Sequence, residues 1–207
     1  MPQVILLDHP LAAHHLSILR DVQTPSAMFR QQIRLLAMLL AVRATQGLTL
    51  EETVVQTPLC EMTGARLKQR IAIVPILRAG IGLVEPVLEL IPEAQVWHLG
   101  MYRDEATAQP VEYYSKLPKD NPVDVALVLD PMLATGGSIR AAVGAMKRWG
   151  VRDVRVLSVI AARDGIAIFH NEFPDVPIYV AAVDEELNAH KFIVPGLGDA
   201  GDRIFNT

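Results

Sequence analysis

The chain has 207 residues, 51% of them hydrophobic, 20% charged and only 5% aromatic, with a formal net charge of −4. That length and apolar fraction support one compact domain with a sizeable core. The acidic balance opposes a general nucleic-acid or anionic-membrane binder, whose footprint is a basic excess, so any phosphate site has to be local.

Cys60 is the single cysteine, which excludes an intramolecular disulfide and a cysteine-based zinc cluster and suits a cytoplasmic setting. The chain does not open on a basic segment followed by an apolar run. Its most apolar stretch, Leu35 to Val42, lies between Arg34 and Arg43 and is too short to span a bilayer. No internal repeat or low-complexity segment is visible.

Near the start, Val4 to Leu7 is a short apolar run followed by HPLAAHHLSILRD. His14 and His15 are adjacent, and adjacent helical residues point about 100° apart, which suits a metal poorly; they read as structural or interface residues. Thr24 then Pro25 predicts a helix opening, with a capping hydroxyl and a proline that needs no N–H, and Gly47 predicts its stop. Between them Met28, Phe29, Ile33, Leu36, Leu39, Leu40 and Arg43 give a wide apolar face, suited to burial under a sheet or in a subunit interface.

Thr49 to Gln69 is ambiguous, compatible with a short helix over Leu50 to Val55 and a turn around Gly64. Ile71 to Leu77, IAIVPIL, reads as a buried strand that stops at Arg78-Ala79-Gly80 before a helical stretch to about Leu90. An arginine at the carboxyl end of a buried strand, beside small residues, stands where open α/β sheets place ligand-contacting groups. Gln95 to Met101 is a further strand. Val111 to Leu117 then forms half of a projecting hairpin, with the polar residues between Arg103 and Pro110 at its tip. Lys116 and Arg103 could meet a polyanion there.

Val125 to Arg140, VALVLDPMLATGGSIR, is the most informative stretch. An apolar run ends at Asp130, passes through Pro131 and the small-residue loop Ala134, Thr135, Gly136, Gly137 and Ser138, and resumes as a helix to Trp149. Backbone N–H groups of such a loop can converge at a helix N-terminus, where the dipole favours an anion. Thr135 and Ser138 add hydroxyl donors, and Asp130 is placed to accept from sugar hydroxyls. No Gly-Lys-Ser/Thr closes the run, so it is not a Walker A loop, and a nucleoside triphosphatase is not indicated. A βα turn using glycines only for tight geometry is the alternative for an isolated GGS.

Asp153 to Ala161 reads as another buried strand, Asp164 to about Phe173 as a short helix, and Ile178 to Val183 as the last strand. Strands alternating with helices predict a mostly parallel sheet covered on both faces. At the C-terminus, Gly196 to Gly201 satisfies GxGxxG formally, but a dinucleotide fingerprint needs a following helix and an acidic residue about 20 positions on. So many small residues, flanked by Phe192, Ile193, Val194, Ile204 and Phe205, predict a backbone-lined pocket instead.

Taken together, DHPL, ILRD, PILRAG, YRDE, VEYYSKLP, LDPMLATGGS and VPGLGDAGDR resemble the uracil phosphoribosyltransferase family along almost the entire chain. The resemblance implies the type I phosphoribosyltransferase fold, α/β with a mostly parallel sheet flanked by helices, a projecting β-hairpin arm and a small hood. It implies one domain over 1–207, with its core at about 65–185 and the hood and uracil-recognition segment at about 1–25 and 186–207. The implied reaction converts uracil and 5-phospho-α-D-ribose 1-diphosphate (PRPP) to UMP and diphosphate, with Mg2+ accompanying PRPP.

Carried over by motif, Arg78 and Arg103 would contact the diphosphate. Asp130, Pro131, Met132, Leu133, Ala134, Thr135, Gly136, Gly137 and Ser138 would hold ribose and 5′-phosphate. Ile193, Gly198, Asp199 and Ala200 would hold uracil, with Asp199 also facing PRPP and its metal. Asp199, Arg103 and Asp130 are the implied catalytic residues, and no protein side chain is assigned as a direct metal ligand. A peptide backbone offers both N–H donors and C=O acceptors, matching the two carbonyls and the N3–H of uracil. The C4 amino group of cytosine would set donor against donor, at a cost on the order of 1 to 3 kcal/mol.

Many type I enzymes carry two adjacent acids at this strand end, whereas Pro131 follows Asp130 here, as in the uracil enzymes. The resemblance also implies a GTP effector in some members, and the wide helix face predicts a homodimer or higher homo-oligomer. Two other functions fit the same fold: a non-catalytic PRPP-sensing regulator of nucleic acid, opposed by the acidic balance, and a phosphoribosyltransferase for another base.

Overall fold

The computed structural model describes residues 3–103, 110–115, 117, 118 and 120–207. In chain order the elements are β1 (Val4–Leu6), α1 (Pro10–Arg20), α2 (Ser26–Thr45), β2 (Leu50–Gln56), β3 (Glu61–Leu67), β4 (Ile71–Leu77), a 3-10 helix (Ala79–Leu83), α3 (Val84–Leu90), β5 (Gln95–Val96) and β6 (Leu99–Arg103). There follow β7 (Pro110–Ser115), β8 (Val125–Leu129), β9 (Met132–Leu133), α4 (Gly137–Trp149), β10 (Asp153–Ala162), α5 (Arg163–Glu172), β11 (Ile178–Asp184), β12 (Glu186–Leu187), β13 (Ile193–Val194) and α6 (Ala200–Phe205).

The main sheet runs β1-β11-β10-β8-β4-β6-β7, with β5 beside β4 and β9 beside β10. Its pairings are parallel except for the β6–β7 hairpin at one edge. The central strands β4, β8 and β10 are buried almost throughout, which is why β4 and β8 read as unbroken apolar runs, and β10 as an apolar run interrupted by Arg155 and Ser158, rather than as alternating ones.

Successive residues of each strand feed opposite layers. Ile71 and Ile73 of β4, with Val125, Leu127 and Leu129 of β8, join the core under α1, α2, α3 and α6. Ala72, Val74, Ile76, Ala126 and Val128 join the second core, under α4 and α5. The wide face of α2 is spent inside the subunit: Phe29, Ile33, Leu36 and Leu40 are wholly buried.

Several boundaries differ from the expectation. Helix α2 begins at Ser26 with no side-chain cap; Thr24 instead donates its hydroxyl to Ile18 O at 2.6 Å, closing the α1–α2 connection. Residues 50–55 are not helical. They form strand β2 of a separate two-stranded sheet with β3, in register from Leu50↔Leu67 to Gln56↔Glu61, and Gly64 sits inside β3 rather than in a turn. The β-branched pair Val54 and Val55 favours a strand there. Ile178–Asp184 is not the last strand, because β12 and β13 pair antiparallel after it.

The hairpin expected around residues 103–110 is present as β6 and β7; its tip, with Asp104 and Glu105, and Lys116 lie outside the described residues. His15 is structural, its Nδ1 2.7 Å from Gln32 Oε1. Among the described residues no helix is long and apolar enough to cross a membrane.

Leu40 is fully buried at the centre of the α2 face. Leu40→Ala should therefore lower unfolding free energy by about 2 to 5 kcal/mol in a denaturant titration.

Candidate active site

The connection leaving β4 leads to β5 and β6 on one side, whereas β8 is followed by β9 and β10 on the other, so strand order reverses between β4 and β8. Diverging connections leave a crevice at the carboxyl ends of the two strands. Register pairs Pro75 with Leu129, so Arg78 and Asp130 leave the sheet at the same end of that crevice.

The β4 loop folds tightly across its neighbour. A Cβ on Gly80 would stand 2.5 Å from Leu129 O, so this position accepts only glycine without displacing backbone. Arg78, 62% exposed, turns its guanidinium towards the C-terminal segment and donates to Asp202 Oδ1 at 3.2 Å.

The β8 loop divides into a framework part and a lining part. Pro131 O accepts from Val159 N at 3.0 Å and Ile160 N at 3.1 Å, and Met132 and Leu133 pair with Ile160 and Ala161. The Leu133 side chain is buried in the core. A cavity of about 110 Å³ is lined by Asp130, Met132 and residues 134–139, with neither Pro131 nor Leu133 among them.

Gly136, in the left-handed region at φ +76°, turns the chain into α4. Its carbonyl begins the helix by accepting from Arg140 N at 2.9 Å, which leaves the first-turn N–H groups of Gly137 and Ser138 directed to the cavity end of α4, with the helix dipole behind them. The opposite side of the loop leans on α5: a Cβ on Gly165 would meet Ala134 O at 1.9 Å.

Asp130 is the electrostatic centre. Its carbonyl accepts from the buried Ser158 hydroxyl at 2.7 Å, and its Oδ1 accepts from Met132 N at 3.3 Å. Burial pushes its carboxyl up to about 7; the Met132 N–H opposes that rise and the charge of Asp199 adds to it. The C-terminal segment that carries Asp199 meets the β4 loop, where a Cβ on Gly201 would stand 3.8 Å from Ala79 Cβ. Asp199 caps α6, accepting from Asp202 N at 2.9 Å.

Of the uracil candidates, Gly198 and Asp199 are exposed while Ile193 and Ala200 are buried. Arg103 ends β6, its backbone paired with Pro110, and its side chain lies outside the described residues. Two supporting residues escaped the sequence reading. Ser158 is the lone hydroxyl in DVRVLSVIAA, and Gly165 follows Arg163-Asp164; a polar residue inside an apolar strand was the available signal.

Residues 5–207 match the family model described as uracil phosphoribosyltransferase. The chain belongs to the uracil phosphoribosyltransferase family. Curated uracil phosphoribosyltransferases from Roseiflexus sp. (strain RS-1) and Agathobacter rectalis are 54% and 50% identical to it, each alignment covering 100% of both chains. A solved structure of a protein from Aquifex aeolicus superposes with a TM-score of 0.93 at 36% identity, covering 98% of each chain. An adenine phosphoribosyltransferase from Trypanosoma brucei shares the fold at a TM-score of 0.56 and 13% identity, over 85% of this chain and 80% of that one. The architecture is thus the type I phosphoribosyltransferase fold, and within it the uracil family is distinguished at the level of sequence.

Asp130 holds its proton more tightly in the folded protein than in the unfolded chain, where it titrates near 3.8. Its contribution to stability therefore falls as pH rises from about 4 to about 7 and stays lowered above that. Asp130→Asn should gain stability relative to wild type on going from pH 4 to pH 8, read as the pH dependence of the difference between their denaturation midpoints.

Proposed function

We propose that the chain carries out the reaction of its family, transferring the 5-phosphoribosyl group of PRPP to N1 of uracil with release of diphosphate. What supports this is the crevice at the carboxyl ends of β4 and β8, where the cavity lined by Asp130, Met132 and residues 134–139 lies at the N-terminus of α4 and the C-terminal segment meets the β4 loop through Arg78 and Asp202.

In this reading the 5′-phosphate sits on the N–H groups of Gly137 and Ser138 with the hydroxyls of Thr135 and Ser138, and Asp130 accepts from the ribose hydroxyls. Arg78 and Arg103 neutralise the leaving diphosphate. As the C1–O bond breaks, positive charge grows on the ribose ring and negative charge on the diphosphate, so the protein's part is alignment and charge stabilisation. Hydrogen bonds from the 198–200 backbone to the uracil carbonyls acidify N1–H, and no strong general base is required.

The donor set fits Mg2+ held mainly by PRPP. The described residues contain no cluster of three potential metal-ligating side chains; burial, with a smaller contribution from the charge of Asp199, raises the Asp130 carboxyl, and a cation arriving with PRPP would favour its ionised form. When bound, Mg2+ would supply charge neutralisation at the diphosphate.

A homodimer is proposed on a separate observation. The β2–β3 sheet exposes Leu50, Val54, Met62 and Leu67, and Leu59 at its turn is 95% exposed. An apolar ribbon standing off the main sheet suits burial against a second copy. Sedimentation velocity should give twice the chain mass, and the double variant Val54→Asp/Leu59→Asp should sediment as a monomer.

Incubation with PRPP, Mg2+ and each nucleobase separately should give nucleotide from uracil alone. Arg78→Ala should raise KM for PRPP at least about tenfold with a much smaller change for uracil, and Asp199→Asn should lower kcat. Turnover of adenine or hypoxanthine instead of uracil, or wild-type constants in both variants, would overturn the reading.

A further inference from the structure

The loop that carries Gly198 and Asp199 is anchored in the core by the buried side chains of Leu197 and Ala200, and the peptides just ahead of it, at Gly196 and Leu197, are held by three charged residues. Arg20, at the end of α1, donates from Nη1 and Nη2 to the two carboxylate oxygens of Asp184 at 2.8 and 2.6 Å. The same Nη1 donates to Gly196 O at 2.7 Å, and Gly196 N donates back to Asp184 Oδ2 at 3.0 Å. Both polar groups of Gly196, which sits at φ +61°, are therefore taken by one ion pair. Asp184 is only 6% exposed and Arg20 24%.

Arg203 completes the arrangement from α6. It donates to Leu197 O at 2.8 Å, to Leu19 O at 2.6 Å and to Asp21 O at 2.7 Å, while its guanidinium carbon lies 4.3 Å from the centre of the Phe29 ring. Gly196 and Leu197 are thus locked to the α1–α2 region. Among the described residues, none accepts from the N–H of Gly198, Asp199 or Ala200. The clasp stops one residue short of the groups that remain available to a ligand.

We infer that Arg20, Asp184 and Arg203 are positioning residues for the nucleobase, acting through the Gly196 and Leu197 peptides and touching no substrate themselves. The inference rests on the proposed uracil reading of the 198–200 loop and deepens it. A flat heterocycle recognised by backbone groups is read by peptide orientation alone, so a rotation of the Gly196 peptide misdirects the next donors without altering their chemistry. The PRPP side of the crevice, on β4 and β8, takes no hydrogen bond from the clasp. Loss of the clasp therefore weakens base recognition and leaves PRPP recognition in place.

The test is steady-state kinetics on the full chain for wild type, Arg20→Ala, Arg20→Lys, Asp184→Asn and Arg203→Met, varying uracil and PRPP separately. KM for uracil should rise at least about tenfold in Arg20→Ala, Asp184→Asn and Arg203→Met, with KM for PRPP within about twofold of wild type. Arg20→Lys, which keeps the charge but not the two-pronged geometry, should recover part of the loss. Should Asp184→Asn fail to fold because it leaves Arg20 without its buried partner, Arg20→Lys and Arg203→Met carry the same split. Equal changes in both KM values, or unchanged kinetics in folded variants, overturn the clasp while the uracil reading stands. Wild type that transfers ribose phosphate to no pyrimidine overturns the uracil reading, and the clasp with it.

Discussion

The reversal of strand order between β4 and β8 is the constraint on which the rest depends. Two parallel strands whose chains turn away in opposite directions must leave their carboxyl ends uncovered, and the sequence places its least apolar punctuation there, Arg78-Ala79-Gly80 on one strand and Asp130 to Ser138 on the other. The absent Cβ of Gly80 lets the first loop pass within van der Waals reach of the second strand's last carbonyl, which draws the two loops together at the crevice. Helix α4, beginning at the second loop, aims its positive end into the same space.

The third wall arrives from the far end of the chain. Arg78 reaches Asp202, and the charge of Asp199 adds to the rise that burial gives the Asp130 carboxyl. The crevice therefore concentrates opposite signs in separate places, N–H donors and guanidinium beside two carboxylates. Such a layout suits a ligand that is itself polyanionic at one end and hydroxylated in the middle, because each part finds its complement without being repelled by the other.

Most of this was legible in the sequence where chemistry and geometry coincide. Apolar runs at Ile71 to Leu77 and Val125 to Leu129, and the mostly apolar Asp153 to Ala161, signal two-sided burial, and small residues after the first two mark the loops at the crevice. The β2–β3 ribbon was not legible, because LEETVVQ mixes charge and β-branched residues without a clean period and has no core to alternate against. The detour at Met132 and Leu133 was hidden too, since two residues are too few for periodicity and their pairing partners lie about thirty positions away. Long-range side-chain roles, such as Ser158 on the Asp130 carbonyl or Arg20 on Gly196, are set by tertiary contacts that local pattern does not encode. Nor does any local pattern announce the cis peptides at Leu77–Arg78 and Val194–Pro195.

The altered titration of Asp130 reaches beyond folding. Burial raises the Asp130 carboxyl well above its ordinary range, so a cation or hydroxyl donor that settles against it favours the anion and releases a hydrogen ion wherever the acid form is populated. Filling the crevice is then an exchange with solvent as well as a capture. Its heat would depend on the ionisation enthalpy of the surrounding buffer, and its occupancy would depend on pH even where the incoming molecule keeps its own charge.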